Sequence, residues 1–296
     1  MLRVLKWIGI IVGGLLVLIV AAVLGLSLAG NAQLHKTREV PTDTVAIPTD
    51  ETALARGHQI VTRVCAGCHG RDLTGEPMLE DPSFGTIYSA NLALLSETWT
   101  DADYVRAIRH GVAPDGRQLA TMPSEAWIHL SAEDLGSIIA YLKTLPPTGE
   151  KKPEPRLTFM GRILLATGQF GQLFPAEYID HFTPFPVRPP IEADLAYGQH
   201  LATFCKSCHG MNLNGIQPGD PTSPPAPNLT PGGELAGWTE DGFIQTFRTG
   251  VTPGGRELNK EYMMWEEFGS FSDDELRDVW MYLQTLPALP SGNDTP

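Results

Sequence analysis

The sequence contains two copies of the pattern Cys-x-x-Cys-His, at residues 65–69 and 205–209. On a helix the positions i, i+3 and i+4 share one face, so a single turn can point two thiols and an imidazole in the same direction. This is the attachment pattern of a c-type haem, with thioethers from the cysteines and an iron ligand from the histidine. The candidate residues are Cys65, Cys68, His69, Cys205, Cys208 and His209.

Two other kinds of site use a Cys-x-x-Cys pair, namely half of a zinc site and a thioredoxin-like redox site. The chain has four cysteines, both pairs are followed directly by histidine, and no third pair lies nearby to complete a zinc tetrahedron. The pattern therefore favours two covalently bound haem c groups. Because these would use every cysteine, we expect no disulfide.

The N-terminus is basic and then strongly apolar. After Arg3 and Lys6, residues 7–29 contain no charged side chain. A stretch of this length matches the roughly 20 residues that cross a bilayer and exceeds the apolar region of a cleaved signal. We expect residues 1–32 to be an uncleaved transmembrane anchor with its N-terminus in the cytoplasm; the alternative is a long signal peptide cut after Ala32.

Charge is distributed unevenly along the chain. The first 40 residues have a net charge of +3 and the rest of the chain −16, for a total of −13. An acidic body argues against nucleic acid as a partner, because nucleic-acid binding relies on clustered lysine and arginine. It suits docking to a basic patch on a protein partner, although solubility alone would also account for it.

An order of features repeats after about 140 residues, which indicates two related domains. Besides the haem motifs, the repeated features are Trp99-Thr100 with Trp238-Thr239, Arg109 with Arg248, Tyr141-Leu142 with Tyr282-Leu283, and Leu145-Pro146 with Leu286-Pro287. Within each repeat, capping residues predict the starts of helices. These are Thr100 and Thr239 for a middle helix, and Ser131 and Ser272 for a terminal helix. Neither repeat has a convincing strand pattern.

Each repeat resembles a class I cytochrome c domain, the small helical domain whose first helix crosses its last. The resemblance covers roughly residues 51–147 and 192–288 and implies that Gly57 and Gly198 permit this crossing. The predicted fold class is therefore all-α, with two tandem class I domains after an N-terminal transmembrane helix. The predicted divisions are an anchor (1–32), a tether (33–50), domain 1 (51–147), an inter-domain segment with a helix (148–191) and domain 2 (192–296).

The resemblance also places the sixth iron ligand, a methionine, in a loop before the terminal helix. Met122 of Thr121-Met122-Pro123 occupies that position in the first repeat. In the second repeat, the offset that links Tyr141 to Tyr282 also links Met122 to Met263, so we expect Met263 to be the ligand. The alternative is Met264, which takes the position of the proline. His110 is a rival ligand in the first repeat, but its counterpart is Thr249. His58, His129, His181 and His200 are expected on surfaces.

Three further residue types recur in both repeats near the expected haem position. Similarity to the class I family makes them candidates for walling the haem or meeting its propionates, while domain packing is the alternative interpretation. These candidates are Trp99, Arg109, Asn91, Trp238, Arg248 and Asn228. A proline-rich stretch at residues 221–231 is expected to skirt the second haem.

The segment between the repeats is apolar over residues 157–174 but is interrupted by Arg162 and several glycines. It is a poor second membrane span. It could pack between the domains or lie on the membrane as an interfacial helix. Because it has few basic residues, we expect it to pack between the domains.

These expectations predict a dihaem cytochrome that carries single electrons at the outer face of the cytoplasmic membrane, without catalysis of its own. The donor and acceptor would be redox proteins. Membrane-anchored bacterial dihaem cytochromes resemble this arrangement, and so do cytochrome subunits of gluconate and alcohol dehydrogenases, although those carry three such domains. The alternatives are a subunit of a membrane dehydrogenase or respiratory complex, and a dihaem enzyme such as a peroxidase or thiosulfate dehydrogenase.

Overall fold

The structure is a computed structural model that describes residues 2–191, 194–216, 224–260 and 262–292. Its first element is helix α1 (Leu2–Leu34), which is about 50 Å long at 1.5 Å per residue. Within the described residues it is the one helix that is long and apolar enough to cross a membrane. Its side chains are exposed until its last two turns, where Ser27, Gly30 and Leu34 are buried.

Domain 1 follows a segment that lies against it. Its helices are α2 (Glu51–Ile60), α3 (Ala66–His69), α4 (Asp101–His110), α5 (Ser124–Trp127) and α6 (Ala132–Leu142). Helices α2 and α6 cross closely, because a Cβ on Gly57 would overlap the carbonyl oxygen of Ser137. The predicted caps are present, with a full capping box at Thr100 and Asp103 and a side-chain cap at Ser131.

The prediction that neither repeat contains a strand is wrong for the first. Strands β1 (Pro77–Asp81) and β2 (Gly85–Tyr88) form an antiparallel hairpin, which β3 (Arg156–Leu157) extends along the edge of β2. A bulge interrupts the pairing near Pro77. The strands are short, and only alternate residues of β2 are buried, so the apolar alternation that identifies a strand is too brief to read.

The inter-domain segment contributes helix α7 (Phe159–Ala166), which packs against the outer end of α1. The backbones are in contact, because a Cβ on Gly30 would overlap the carbonyl oxygen of Arg162. The expectation that this helix packs between the domains is therefore wrong. An apolar cluster instead joins α1, β2 and the inter-domain segment through Leu34, Ile87, Leu157, Leu165, Leu173 and Phe174.

The predicted tether also lies against domain 1. Arg38 donates its backbone N–H to the Gly116 carbonyl at 2.9 Å, and a Cβ on Gly136 would overlap the carbonyl oxygen of Ala46. Val45 and Ile47 pack against the domain core. Residues 35–50 therefore form a strap that holds α1 against domain 1 instead of separating the two.

Domain 2 repeats the helical pattern with α8 (Leu195–Ala202), α9 (Lys206–His209), α10 (Glu240–Thr249), α11 (Trp265–Phe268) and α12 (Asp273–Thr285). Helices α8 and α12 cross as α2 and α6 do, since a Cβ on Gly198 would overlap the carbonyl oxygen of Asp278. Ser272 and Glu275 form a full capping box at α12. Of the predicted proline-rich loop, residues 221–223 lie outside the described residues.

The two domains share one apolar core and a buried ionic cluster. Asp134 at the start of α6 accepts hydrogen bonds from the Arg56 Nε at 3.1 Å and the His200 Nε2 at 2.6 Å. Asp134 is fully buried and His200 is 8% exposed, so the expectation that His200 lies on a surface is wrong. The cluster joins helices α2, α6 and α8 across the domain boundary.

Candidate functional site

A cavity of about 550 Å³ lies inside domain 1, within the size range of small-molecule and cofactor sites. Its lining brings together four residues that the sequence analysis singled out for one haem: Cys65, Cys68, His69 and Met122. Most of the other lining side chains are apolar. The cavity therefore offers two thiols, an imidazole and a thioether to one apolar space.

His69 is held in a defined tautomer. Its Nδ1 lies 2.8 Å from the Ala90 carbonyl oxygen. Because a carbonyl can only accept, Nδ1 carries the proton and Nε2 keeps its lone pair. Burial lowers the pKa of His69 below its usual value, which favours the neutral ring. A neutral imidazole with one nitrogen anchored to the backbone is the usual form of a metal-ligating histidine.

His209 repeats this arrangement in domain 2. It is buried, its Nδ1 lies 2.8 Å from the Pro227 carbonyl oxygen, and burial again lowers its pKa. The two carbonyl partners, Ala90 and Pro227, each precede an asparagine, Asn91 or Asn228. The repeat thus preserves the orientation of the histidine as well as the motif.

Cys65, Cys68 and Cys205 are partly buried, and Cys208 is exposed. Burial raises the pKa of Cys65 and of Cys205 to about 12. The pKa of Cys68 is raised to about 11, first by burial and then by the nearby Cys208. Helix α9, which contains Cys208, contacts α5 of domain 1, so the second haem motif lies at the domain boundary.

The loops that contain Met122 and Met263 have the same local backbone. Pro123 (φ −79°, ψ 57°) and Met264 (φ −76°, ψ 54°) both immediately precede a short helix. The N–H two residues after each candidate ligand bonds its carbonyl, at 2.7 Å for Met122 and 2.8 Å for Met263. Met263 is therefore the structural counterpart of Met122.

The alternative ligand Met264 points towards the other domain. A Cβ added to Gly67, inside the first haem motif, would overlap the Met264 Sδ. Met264 therefore occupies the backbone position of Pro123 and packs its thioether on domain 1.

The tryptophan and asparagine candidates lie at or near the expected positions. Trp99 and Asn91 line the cavity of domain 1. The Asn91 Nδ2 donates to the Thr148 carbonyl at 2.8 Å and its Oδ1 accepts from the Ala93 N–H at 3.0 Å. In domain 2 Asn228 makes the equivalent bonds to Leu289 and Thr230, and Trp238 packs against the core.

The two arginine candidates lie elsewhere. Arg109 is outside the cavity lining, and its guanidinium bonds the Asp43 carboxylate at 2.7 Å and the Ile128 carbonyl at 2.6 Å. Arg248 donates to the Gly269 carbonyl at 2.7 Å and the Phe271 carbonyl at 2.8 Å. Both side chains thus hold the chain that follows the methionine loop, so their expected role at the haem propionates finds no support in these contacts.

The rival ligand His110 also lies outside the cavity lining. It is fully buried, with Nδ1 3.1 Å from the His181 Nδ1 and Nε2 3.2 Å from an Asp43 oxygen. Burial lowers the pKa of His110 to about 4. Its contacts join domain 1 to the strap and to the inter-domain segment.

Sequence reasoning missed Arg117, which lines the cavity. Its Nε is buried and has no hydrogen-bond partner among the described residues, and the Asp115 oxygen is 3.8 Å away. An unpaired guanidinium nitrogen at the wall of an apolar cavity suits an anionic group of a ligand. The repeat could have identified it, because Pro114-Asp-Gly-Arg117 returns as Pro253-Gly-Gly-Arg256.

The inter-domain segment supplies two more cations to the cavity wall, Lys151 and Lys152. No motif in the sequence marks them. The lining thus has three cations, Arg117, Lys151 and Lys152, and three acids, Glu97, Asp115 and Glu154, beside two thiols and the anchored imidazole. The residues present therefore fit a c-type haem, whose propionates are anionic and whose ring is apolar.

The comparisons with known proteins agree with this geometry. Residues 52–142 match the family model described as cytochrome c oxidase, cbb3-type, subunit III, and residues 195–287 match that of cytochrome c. The chain is 28% identical over 285 residues to a fructose dehydrogenase cytochrome subunit of Gluconobacter japonicus, covering 87% of this chain and 57% of the relative.

Two further relatives differ in how much of their length is matched. A cytochrome c subunit of a quinone alcohol dehydrogenase from Gluconacetobacter polyoxogenes is 26% identical, over 84% of this chain and 59% of the relative. A diheme cytochrome c-type protein of Cereibacter sphaeroides is 25% identical, over 88% of this chain and 95% of the relative. The chain thus spans little more than half the length of the two dehydrogenase subunits.

Each haem motif lies within a separately matched cytochrome-type domain, and the relatives are named as cytochrome subunits or as a diheme cytochrome. The chain is therefore a dihaem c-type cytochrome, similar to the cytochrome subunits of bacterial dehydrogenases.

Proposed function

We propose that this protein is a membrane-anchored electron carrier in which each haem is ligated by a histidine and a methionine. The observation that carries the proposal is the anchored imidazole of His69, which shares one cavity with Met122 and two thiols. The same tautomer at His209 and the same loop backbone at Met263 support an equivalent site in domain 2. When bound, each haem supplies a one-electron Fe(III)/Fe(II) couple.

The protein's own residues supply attachment, ligation and charge. Cys65 and Cys68, and in domain 2 Cys205 and Cys208, would form the thioethers. Met263 is proposed as the ligand of domain 2 in preference to Met264, because it is the counterpart of Met122. Methionine opposite histidine raises the reduction potential, which suits a carrier that accepts electrons from a dehydrogenase.

The experiment that tests carrier against enzyme is carbon monoxide binding to the purified, reduced protein. A haem whose two axial positions are filled by histidine and methionine is low-spin and offers no open site. We therefore expect an unchanged absorption spectrum under carbon monoxide, and full reduction and reoxidation of both haems by one-electron reagents. A carbon monoxide complex at one haem, or a high-spin signal, would instead support a dihaem enzyme.

We further infer that the electron donor is a dehydrogenase and that the haem domains lie outside the cytoplasm. The relatives named as fructose and alcohol dehydrogenase cytochrome subunits support the donor. Helix α1, with the basic residues in its first turns, supports the location. Purification of the tagged protein from native membranes in mild detergent tests the donor. We expect a second subunit at constant ratio, and haem reduction when a sugar, alcohol or sugar-acid panel is added.

The contrary result is equally clear. The protein would then purify alone, and its haems would stay oxidised in native membranes with every substrate of the panel. These results would exclude a dehydrogenase as the electron donor. The diheme relative of similar length would then be the better guide, with separate soluble proteins as donor and acceptor.

A further inference from the structure

The loop that borders the cavity of domain 1 is covered by the protein's own chain. This loop leads from α4 to Met122, and its residues 113–115, 117 and 119–122 line the cavity. The strap bonds one side of it through Arg38 and Gly116, and the inter-domain segment bonds the other through Leu173 and Thr121, at 2.8 Å. The covered loop is thus closed to a partner over much of its surface.

The loop at the equivalent position of domain 2 has no such cover among the described residues. We call residues 251–260 the open loop. It has the same internal pairing, because a bridge joins Val251 to Glu257 as another joins Val112 to Gln118. Yet Val112 is 0% exposed and Val251 is 37% exposed. The chain beyond the loop continues this surface with Tyr262, which is 52% exposed.

The two loops have different residue types at equivalent positions, and these agree with the difference in exposure. Gln118 is 2% exposed and donates to Glu177 of the covering segment, whereas its counterpart Glu257 is exposed and charged. A buried position disfavours an unpaired charge, and an exposed one tolerates it. The loop of domain 1 is therefore packed against other segments of the protein, whereas the open loop exposes the apolar Val251 and the carboxylate of Glu257.

The charge of the protein is concentrated around the open loop's domain. Residues 192–296 contain fifteen acidic and five basic side chains, a net charge of −10 out of −13 for the whole chain. The two cations of the open loop are both paired with acids, Arg256 with Glu234 and Lys260 with Glu266 at 3.9 Å. The surface therefore has an apolar centre within an acidic domain, which complements a partner with an apolar contact surrounded by lysine and arginine.

We propose that the open loop, with Tyr262, is the docking surface for a basic redox protein that exchanges electrons with the haem of domain 2. The proposal rests on the proposed carrier function. It assigns the two domains different tasks: domain 1 is closed against the membrane-side segments, and domain 2 presents its haem-bordering loop to a soluble partner.

The test measures the second-order rate of electron exchange between the full-length holoprotein in detergent and a strongly basic monohaem cytochrome c, by stopped flow. An acidic cytochrome c of similar size is the comparison. We expect the basic cytochrome to react faster, and its rate to fall with rising ionic strength, because screening weakens steering between opposite charges.

Three variants locate the contact. Glu257→Lys should lower the rate with the basic cytochrome at low ionic strength by about threefold or more, and Val251→Ser should lower it without changing the salt dependence. The matched control is Glu51→Lys, which changes net charge equally on the exposed first turn of α2 in domain 1, away from both the cavity lining and the open loop. This control should react at close to the wild-type rate.

The contrary outcomes are distinct. Equal slowing by Glu51→Lys and Glu257→Lys would show that only net charge matters and would overturn the docking surface. Wild-type rates for both open-loop variants, or faster reaction with the acidic cytochrome, would overturn it as well. Each variant is first checked for an unchanged haem spectrum. If the wild-type haems fail to cycle even with ascorbate and ferricyanide, the carrier function itself is wrong, independently of the docking surface.

Discussion

At the scale of single residues, a repeated side chain marks a repeated structural task, but its contacts decide which task. Arg109 and Arg117 both recur, as Arg248 and Arg256. Arg109 bonds the carbonyl of Ile128, as Arg248 bonds that of Gly269, whereas Arg117 lines the cavity with an unpaired Nε. Recurrence alone gives no way to separate the arginine that supports the loop from the one that faces the cofactor.

The first prediction concerns the sixth ligands. Met122→Ala and Met263→Ala should each remove about half of the weak sulfur-to-iron charge-transfer absorption of the oxidised protein, because each eliminates one thioether ligand. Met264→Ala is the matched control and should leave the band at full intensity. Loss of the band in Met264→Ala, with retention in Met263→Ala, would exchange the two assignments in domain 2.

The second prediction concerns Arg117. Arg117→Gln should lower the reduction potential of one haem and leave the other unchanged, because a nearby positive charge favours the reduced, less positive iron. Spectroelectrochemical titration of both haems measures this. Arg106→Gln removes an arginine that pairs with Asp103 on the same helix, so it should leave both reduction potentials unchanged. A similar fall in a reduction potential in this control would indicate a general effect of net charge.

At the scale of elements, each domain is built on one close crossing of its first and last helices. Gly57 and Gly198 were predicted to permit this crossing, and the contacts of both glycines with the opposite helix confirm it. The two crossings are connected by Asp134, the third residue after the Ser131 cap, which bonds Arg56 within its own domain and His200 in the other. A capping pattern predicts the start of a helix, but it gives no information about a hydrogen-bond partner 66 residues away, such as His200.

The third prediction is a pH dependence that originates at Asp134. Burial opposes ionisation, but the His200 hydrogen bond and the Arg56 charge outweigh it and lower the pKa of Asp134 from 3.8 to about 2. A carboxyl with a depressed folded-state pKa stabilises the fold above its unfolded pKa, and this contribution is lost as the pH falls. We therefore expect about 2 kcal/mol of unfolding free energy to disappear between about pH 4 and pH 2.

The measurement is denaturant unfolding of the holoprotein across that pH range. Asp134→Asn should be less stable at pH 6 and should lack this part of the acid-induced loss. Asp101→Asn alters a surface pair with Lys143 and should retain it, since exposed pairs contribute little. An Asp134→Asn variant with the full wild-type pH dependence would show that other carboxyls cause the loss.

At the scale of the whole molecule, two similar domains sit in different surroundings. Domain 1 is fastened to α1 by the strap, by α7 and by the apolar cluster around Leu34. Domain 2 contacts domain 1 through its short helices, with the Arg63 guanidinium 3.9 Å from the centre of the Phe271 ring. Helix α9 of the second haem motif contacts α5, and the Met264 thioether lies against Gly67 of the first motif. Both haem motifs therefore lie at the domain boundary, while the loops bordering the two sites have different surroundings.

The fourth prediction is that α1 anchors the protein. The paired change Leu16→Asp and Val20→Asp places two charges in the exposed apolar part of the helix, at about 2.5–3.5 kcal/mol each near the bilayer centre. We expect the wild type to stay with the membrane after alkaline extraction and the variant to be released. Leu16→Val with Val20→Leu keeps the helix apolar and should behave like the wild type. Release of the wild-type protein from the membrane by alkaline extraction would show that α1 is not a membrane anchor.

The sequence by itself determined the features that depend on neighbouring residues. Haem attachment, helix caps, the crossing glycines and the repeat all depend on residues within a few positions of one another, or on identity at a nearly constant offset. The middle and terminal helices of both domains start where their caps predict. The methionine loops belong to the same class, because the offset between repeats selects Met263 and the local backbone agrees.

The remaining features arise only when distant segments meet. The strap, the position of α7 against α1, the hairpin, the burial of His200 and the cations at the cavity wall each depend on contacts between parts of the chain far apart in sequence. Such contacts follow from shape and burial, which no local pattern encodes. The same cause makes two loops at equivalent positions differ in exposure, since one is covered by distant parts of the chain and the other faces outwards.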